Sequence, residues 1–167
     1  GNKIKSKNGA LAATAGLGCL IFVDDYFNCL TVGSVMRPIT DKFKISHSKL
    51  AWIIDSTAAP VCIIAPISSW AAAVSEYAEG TAFSGIELFI RAIPYNFYSL
   101  LTLIFVVATI VMKIDFGPMA VHEKNAMEKG DLFTTGQSDN RIEEKLEANE
   151  KGKVIDLLIP VVLLVFF

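Results

Sequence analysis

The chain has 167 residues, 53% of them apolar and 19% charged, with a mean hydropathy of +0.48. Soluble domains carry about 45–50% apolar and about 25% charged residues, so the balance points away from a soluble domain and towards an integral membrane protein. The net charge of −2 is unremarkable and gives no hint of a nucleic-acid partner.

Gly1 to Gly9 carries Lys3, Lys5 and Lys7 and reads as a short basic connector. Ala10 to Met36 is apolar except at its middle, where Asp24-Asp25-Tyr26-Phe27-Asn28 stands. A carboxylate at bilayer depth costs roughly 2.5–3.5 kcal/mol on insertion scales. Two in a row therefore predict a polar cavity rather than lipid. Two shapes fit residues 10–36: one broken helix, or a re-entrant hairpin with Asp24 to Asn28 at its tip. Arg37 to Lys49 is basic and is expected on the cytoplasmic side. A hairpin keeps both basic flanks on that side; a single crossing does not.

Residues 50–75 form a second apolar stretch with two polar interruptions, Asp55-Ser56-Thr57 before Pro60 and Ser68-Ser69-Trp70 after Pro66. Pro60 has no N–H and crowds the carbonyl of Ser56, which predicts a helix break there. Glu76 to Ile90 lacks Lys and Arg and fits the outside. Residues 92–112 read as an uninterrupted transmembrane helix with Tyr95 and Tyr98 at its entrance. Residues 113–153 mix charges of both signs and read as a solvated cytoplasmic loop, with a turn at Phe116 to Met119 and a short charged helix within 140–150. Residues 154–167 are apolar but shorter than the ~20 residues of a span. They are expected to begin a transmembrane helix that the sequence truncates, which makes the chain a fragment of a longer polytopic protein. The expected fold class is thus all-α, a membrane region over 1–112 with broken or re-entrant helices, in contact with the lipid bilayer.

Asp24 and Asp25 are the strongest candidates. Adjacent carboxylates in low dielectric do not both ionise easily, which suits a site that trades H⁺ for a hard monovalent cation. Asn28 and Thr31 follow within two turns. Asp55, Ser56 and Thr57 offer a carboxylate and two hydroxyls as the other half of an oxygen cage, and Ser68, Ser69 and Trp70 mark a further ion or substrate path. The competing reading makes the aspartates ordinary helix caps at an interface. Cys19, Cys29 and Cys62 read as small buried hydrophobes, and His47 and His122 as surface histidines without metal-ligand company. The chain carries no Ser-His-Asp set, phosphate loop, CxxC pair or nucleotide fingerprint, so neither an enzyme nor a cofactor is expected.

Gly33-Ser34-Val35-Met36-Arg37-Pro38-Ile39-Thr40-Asp41, preceded by Asp24 to Asn28, resembles the NhaC-type Na⁺/H⁺ antiporter family. So do Ile45 to Cys62 and Pro66-Ile67-Ser68-Ser69-Trp70. His47 stands where many relatives are expected to have Arg. The resemblance implies a multi-pass protein of the bacterial cytoplasmic (inner) membrane that exchanges Na⁺ for H⁺, with no metal beyond the transported Na⁺. It also leaves open a carrier coupling Na⁺ or H⁺ to a small organic acid such as malate or lactate. A non-transporting membrane scaffold is the remaining alternative.

Overall fold

Helix caps divide the chain much as its polar interruptions suggest. The computed structural model describes residues 4–78 and 80–134. Among the described residues are seven α-helices, one 3₁₀ turn and no strand. Ser6 opens α1 (Lys7–Leu20), its hydroxyl accepting the Gly9 N–H at 3.1 Å. Four residues, 21–24, then interrupt the helix, and Asp24 caps α2 (Asp25–Lys42). Lys44, at φ +52°, ends α2 in the left-handed conformation, with Ile45 N–H returning to Thr40 O at 3.2 Å. Ser46 caps α3 (His47–Ile64).

The pairing of α1 and α2 follows from one carboxylate. Lys7, at the start of α1, lies 2.5 Å from Glu123 Oε2, and Ser46 N–H, just past α2, donates to Glu123 Oε1 at 2.7 Å. Helix α1 therefore begins where α2 ends, and the two form an antiparallel hairpin with its tip at 21–24. Helix α3 lies against both. Ala10, Leu11 and Ala15 of α1 pack with Ile53 of α3, while Val32 and Met36 of α2 pack with Leu50 and Ile54. Alanine and glycine at such contacts let helices approach closely where lipid removes the hydrophobic drive.

The second break does not fall where Pro60 predicts. Helix α3 runs through Pro60 to Ile64, and α4 (Ser69–Glu76) leaves it at 48°. The residue before Pro66, Ala65, is extended (φ −82°, ψ +123°), as the clash with a following proline ring demands. Pro60 removes one hydrogen bond, and packing tolerates that. Asp55, Ser56 and Thr57 consequently sit inside a continuous helix.

Helix α5 (Gly85–Ala92) packs on α4. A Cβ at Gly85 would overlap the backbone of Ser75, so only glycine fits that crossing. A 3₁₀ turn (Ile93–Tyr95) then leads into α6 (Phe97–Met112), with a 50° bend between the two helices. The expected span at 92–112 thus begins late. Pro94 offers no N–H, and Asn96 starts a fresh helix by accepting the Ser99 N–H at 3.2 Å. At 1.5 Å per residue α6 is ~24 Å long, short of the ~30 Å hydrocarbon core. Among the described residues no single helix is long and apolar enough to cross a membrane, but α3 with α4, and α5 and its turn with α6, pass the length and composition test as bent pairs.

The region expected to be a solvated loop contains a docked helix, α7 (Pro118–Lys129), between left-handed Gly117 (φ +58°) and Gly130 (φ +70°). It has no broad apolar stripe. Ala126 and Glu123, three residues apart, are its buried positions. The helix expected within 140–150 and the truncated span at 154–167 lie outside the described residues.

Candidate functional site

The two helix breaks meet. Ser69 N–H, at the start of α4, donates to Val23 O in the α1–α2 tip at 2.8 Å. Ser68 makes the junction possible: its hydroxyl reaches Cys62 O at 2.7 Å and Ala65 O at 3.0 Å, and accepts the Ala71 N–H at 3.2 Å. One side chain thus serves carbonyls left at the end of α3 and a donor at the start of α4.

Asp24 is an N-cap: its Oδ1 accepts the Phe27 N–H at 2.8 Å. The alternative of aspartates as helix caps therefore holds for this oxygen. The carboxylate also faces the positive end of the α2 dipole. Asp25, in the first turn of α2, is half-buried, with no hydrogen bond or ion pair among the described residues. Asp24, Asp25 and Asp55 all lie within electrostatic reach of Cys29, and the first two within reach of Cys62. Asp55 itself is exposed on the outer face of α3.

Asn28 is wholly buried and holds the hairpin closed. Its Nδ2 donates to Gly18 O at 2.6 Å and to Ile21 O at 2.7 Å. Its Oδ1 is buried without a partner. Thr57, 1% exposed, shares its hydroxyl proton between Ile53 O at 2.9 Å and Ile54 O at 3.1 Å. A Cβ on Gly18 would collide with the Thr57 hydroxyl and come within 3.8 Å of Asn28 Oδ1. Gly18, Asn28 and Thr57 thus bring α1, α2 and α3 to one point.

The structure separates other candidates. Successive helical residues turn by about 100°. Thr57 faces α1, whereas Ser56 lines a groove of about 620 Å³ with Trp52, Thr102 and Phe105 on the α6 side, and Asp55 faces outward. Thr31 and Ser69 are half-buried, and Trp70 is exposed.

Sequence reading missed two parts. One is the set of carbonyls, Gly18, Ile21 and Val23, that the α1–α2 break supplies; backbone atoms carry no residue signature. The other is a charge cluster at the base of the hairpin. Lys49, with a side chain only 4% exposed, pairs with Asp115 and lies 4.0 Å from Glu123. Burial alone would raise the Glu123 carboxyl. The hydrogen bonds from Lys7 and Ser46 and the Lys7 charge outweigh it and hold the group below its ordinary value. Close by, His47 is half-buried, 2.8 Å from Asp41 and edge-on to Phe133, while His122 meets Thr134 at 2.7 Å. Both histidines are partly exposed, and each has one polar partner.

The Na⁺/H⁺ antiporter family matches the chain over residues 61–166, which takes in the second break but not the hairpin. An uncharacterized protein of Haemophilus influenzae is 36% identical over 171 aligned positions, covering 98% of this chain and 31% of the relative. The chain therefore spans about a third of that relative's length. No solved structure matches.

Proposed function

This chain belongs to the Na⁺/H⁺ antiporter family, and from that premise we propose that it forms part of a secondary transporter exchanging Na⁺ for H⁺ across a bacterial cytoplasmic membrane. The family is one of transporters rather than enzymes. Within it, the motifs at Gly33–Asp41 and Ile45–Cys62 favour the NhaC type. Asp24 and Asp25 take turns with proton and cation, and Asn28 and Thr57 add neutral oxygens. Asp55 contributes field from the flank of α3, and Ser56 faces the neighbouring groove.

The observation that carries this reading is the Ser69–Val23 hydrogen bond, because it sets two interrupted helices against each other beside a pair of carboxylates. Broken helices expose carbonyls and dipole ends at membrane depth, and transporters use them to hold ions. A second reading, coupled transport of a small organic acid, draws on the start of α4. The positive end of that helix, at Ser68, Ser69 and Trp70, attracts a carboxylate.

The test is Na⁺-dependent proton movement in everted vesicles containing the full-length protein. Asp25→Asn abolishes it, while Glu87→Gln, which removes only an exposed pair with Arg91, leaves it near the wild-type rate. Equal rates in both variants would sink the assignment. Stimulation by malate or lactate selects the second reading.

A further inference from the structure

We infer that the Asn28 amide nitrogen stands in the seat of the transported cation, with the carbonyl oxygens of Gly18 and Ile21 as its fixed ligands. The inference rests on the cation-exchange reading above and assigns its binding atoms.

Two carbonyls from the end of α1 converge on one point. Leu17 O still accepts a backbone N–H, that of Ile21, at 3.2 Å. Gly18 O, next in line, and Ile21 O meet instead at Asn28 Nδ2, at 2.6 and 2.7 Å. Two acceptors aimed at one small space, the Gly18 side buried and the Ile21 side half-buried, ask for a positive occupant. A primary amide is a neutral side chain that offers one.

The other end of the amide supports this. Asn28 Oδ1 has no donor among the described residues, although the side chain is 0% exposed. An amide kept solely to close the hairpin would leave that acceptor without a donor among the described residues, which is rare for a buried polar group. Rotation of the amide brings Oδ1 towards the two carbonyls. Three oxygens facing one another repel unless a cation lies among them, so the rotated state is the occupied one. Thr57 Oγ1 gives its proton to Ile53 and Ile54 carbonyls and so turns lone pairs, not hydrogen, towards Gly18. The resulting set is neutral and all-oxygen, drawn from α1, α2 and α3, with Asp24 and Asp25 a turn away to balance one charge. It suits a small, dehydrated monovalent cation. In the unloaded state the amide takes the cation's place, which keeps the carbonyl pair assembled between transport steps.

The only Gly–Cys step in this chain is Gly18–Cys19. Labelling the full-length protein with ¹³C-carbonyl glycine and ¹⁵N-cysteine isolates the Gly18 carbonyl, and Cys19→Ser identifies its signal by deletion. NaCl is expected to shift that signal, and choline chloride at equal ionic strength to leave it in place. In parallel, Asn28→Leu fills the seat with hydrocarbon and is expected to lose the Na⁺-dependent rise in melting temperature of the wild type. A Gly18 carbonyl that ignores Na⁺, or an Asn28→Leu protein that keeps its full Na⁺-dependent rise, overturns the inference. The carbonyl measurement uses unmodified Asn28 and decides alone if Asn28→Leu does not fold. Exchange in vesicles without a Gly18 response removes the seat and leaves the transport reading intact. A Gly18 response without exchange keeps the seat and removes that reading.

Discussion

The backbone N–H of Ser69 donates to the carbonyl of Val23 at 2.8 Å, so the break after α3 is held against the break after α1. Ser68 maintains the geometry by serving Cys62 O, Ala65 O and Ala71 N–H together. Ser68→Ala removes an N-cap and leaves buried carbonyls unmet, with an expected loss of about 1–3 kcal/mol. Thermal unfolding in detergent measures the global part, and hydrogen exchange at 69–72 the local part. Unchanged exchange there would mean that the junction does not depend on Ser68.

Gly18 and Gly16 are both helical glycines of α1, but only Gly18 meets a neighbour where a Cβ would stand. Gly18→Ala is expected to destabilise by about 1–3 kcal/mol, because Thr57 is buried and cannot yield freely. Gly16→Ala is expected to be neutral or to stabilise by up to about 1 kcal/mol, since alanine loses less backbone entropy than glycine in a helix. Thr57→Ala should recover much of the Gly18→Ala loss. Denaturant titration of the four proteins checks all of this.

Asp24 and Asp25 are adjacent but differently employed. Asp24→Ser retains a side-chain oxygen for the Phe27 N–H and should fold normally while losing exchange. Asp25→Asn should lose exchange with less than about 0.5 kcal/mol change in stability, because no hydrogen bond or ion pair within the described residues depends on its charge. Paired unfolding and vesicle measurements separate the two effects.

At the hairpin base, the Glu123 carboxyl is held below its ordinary value of 4.5, so the folded state favours the ionised form. That contribution is complete above the unfolded value and is lost as pH falls through the folded one. Protection of α7 amides, corrected for intrinsic exchange, should therefore be steady near neutrality and decline below pH 4.5. In Glu123→Gln the decline from this group disappears. Lys7→Ala strips a partner from a buried charge, a change that costs about 3–5 kcal/mol. The lower end is expected, since Ser46 N–H remains and Lys49 stands at 4.0 Å.

The α7 cluster and the Gly18–Asn28–Thr57 contact divide what was legible from what was not. Hydropathy and capping are local properties, so the sequence by itself determined that the described residues are helical and that residues 10–36 and 50–75 are each interrupted. It set the first interruption at Asp24 to Asn28, whereas the break covers residues 21–24 and Asp25 to Asn28 already belong to α2, because the Asp24 cap starts the new helix at once. It misjudged Pro60, because packing around α3 tolerates the single hydrogen bond that a proline forfeits, whereas the extended residue before Pro66 cannot continue a helix. It grouped Asp55, Ser56 and Thr57, because adjacency in the chain hides the turn of about 100° between successive helical residues. Only the tertiary structure decided that Lys7 and Ser46 share Glu123 across more than 70 residues, that Asn28 meets the carbonyls of Gly18 and Ile21, and that Val23 meets Ser69. Each of these joins groups whose partners are set by how helices cross, a property that no window of neighbouring residues contains.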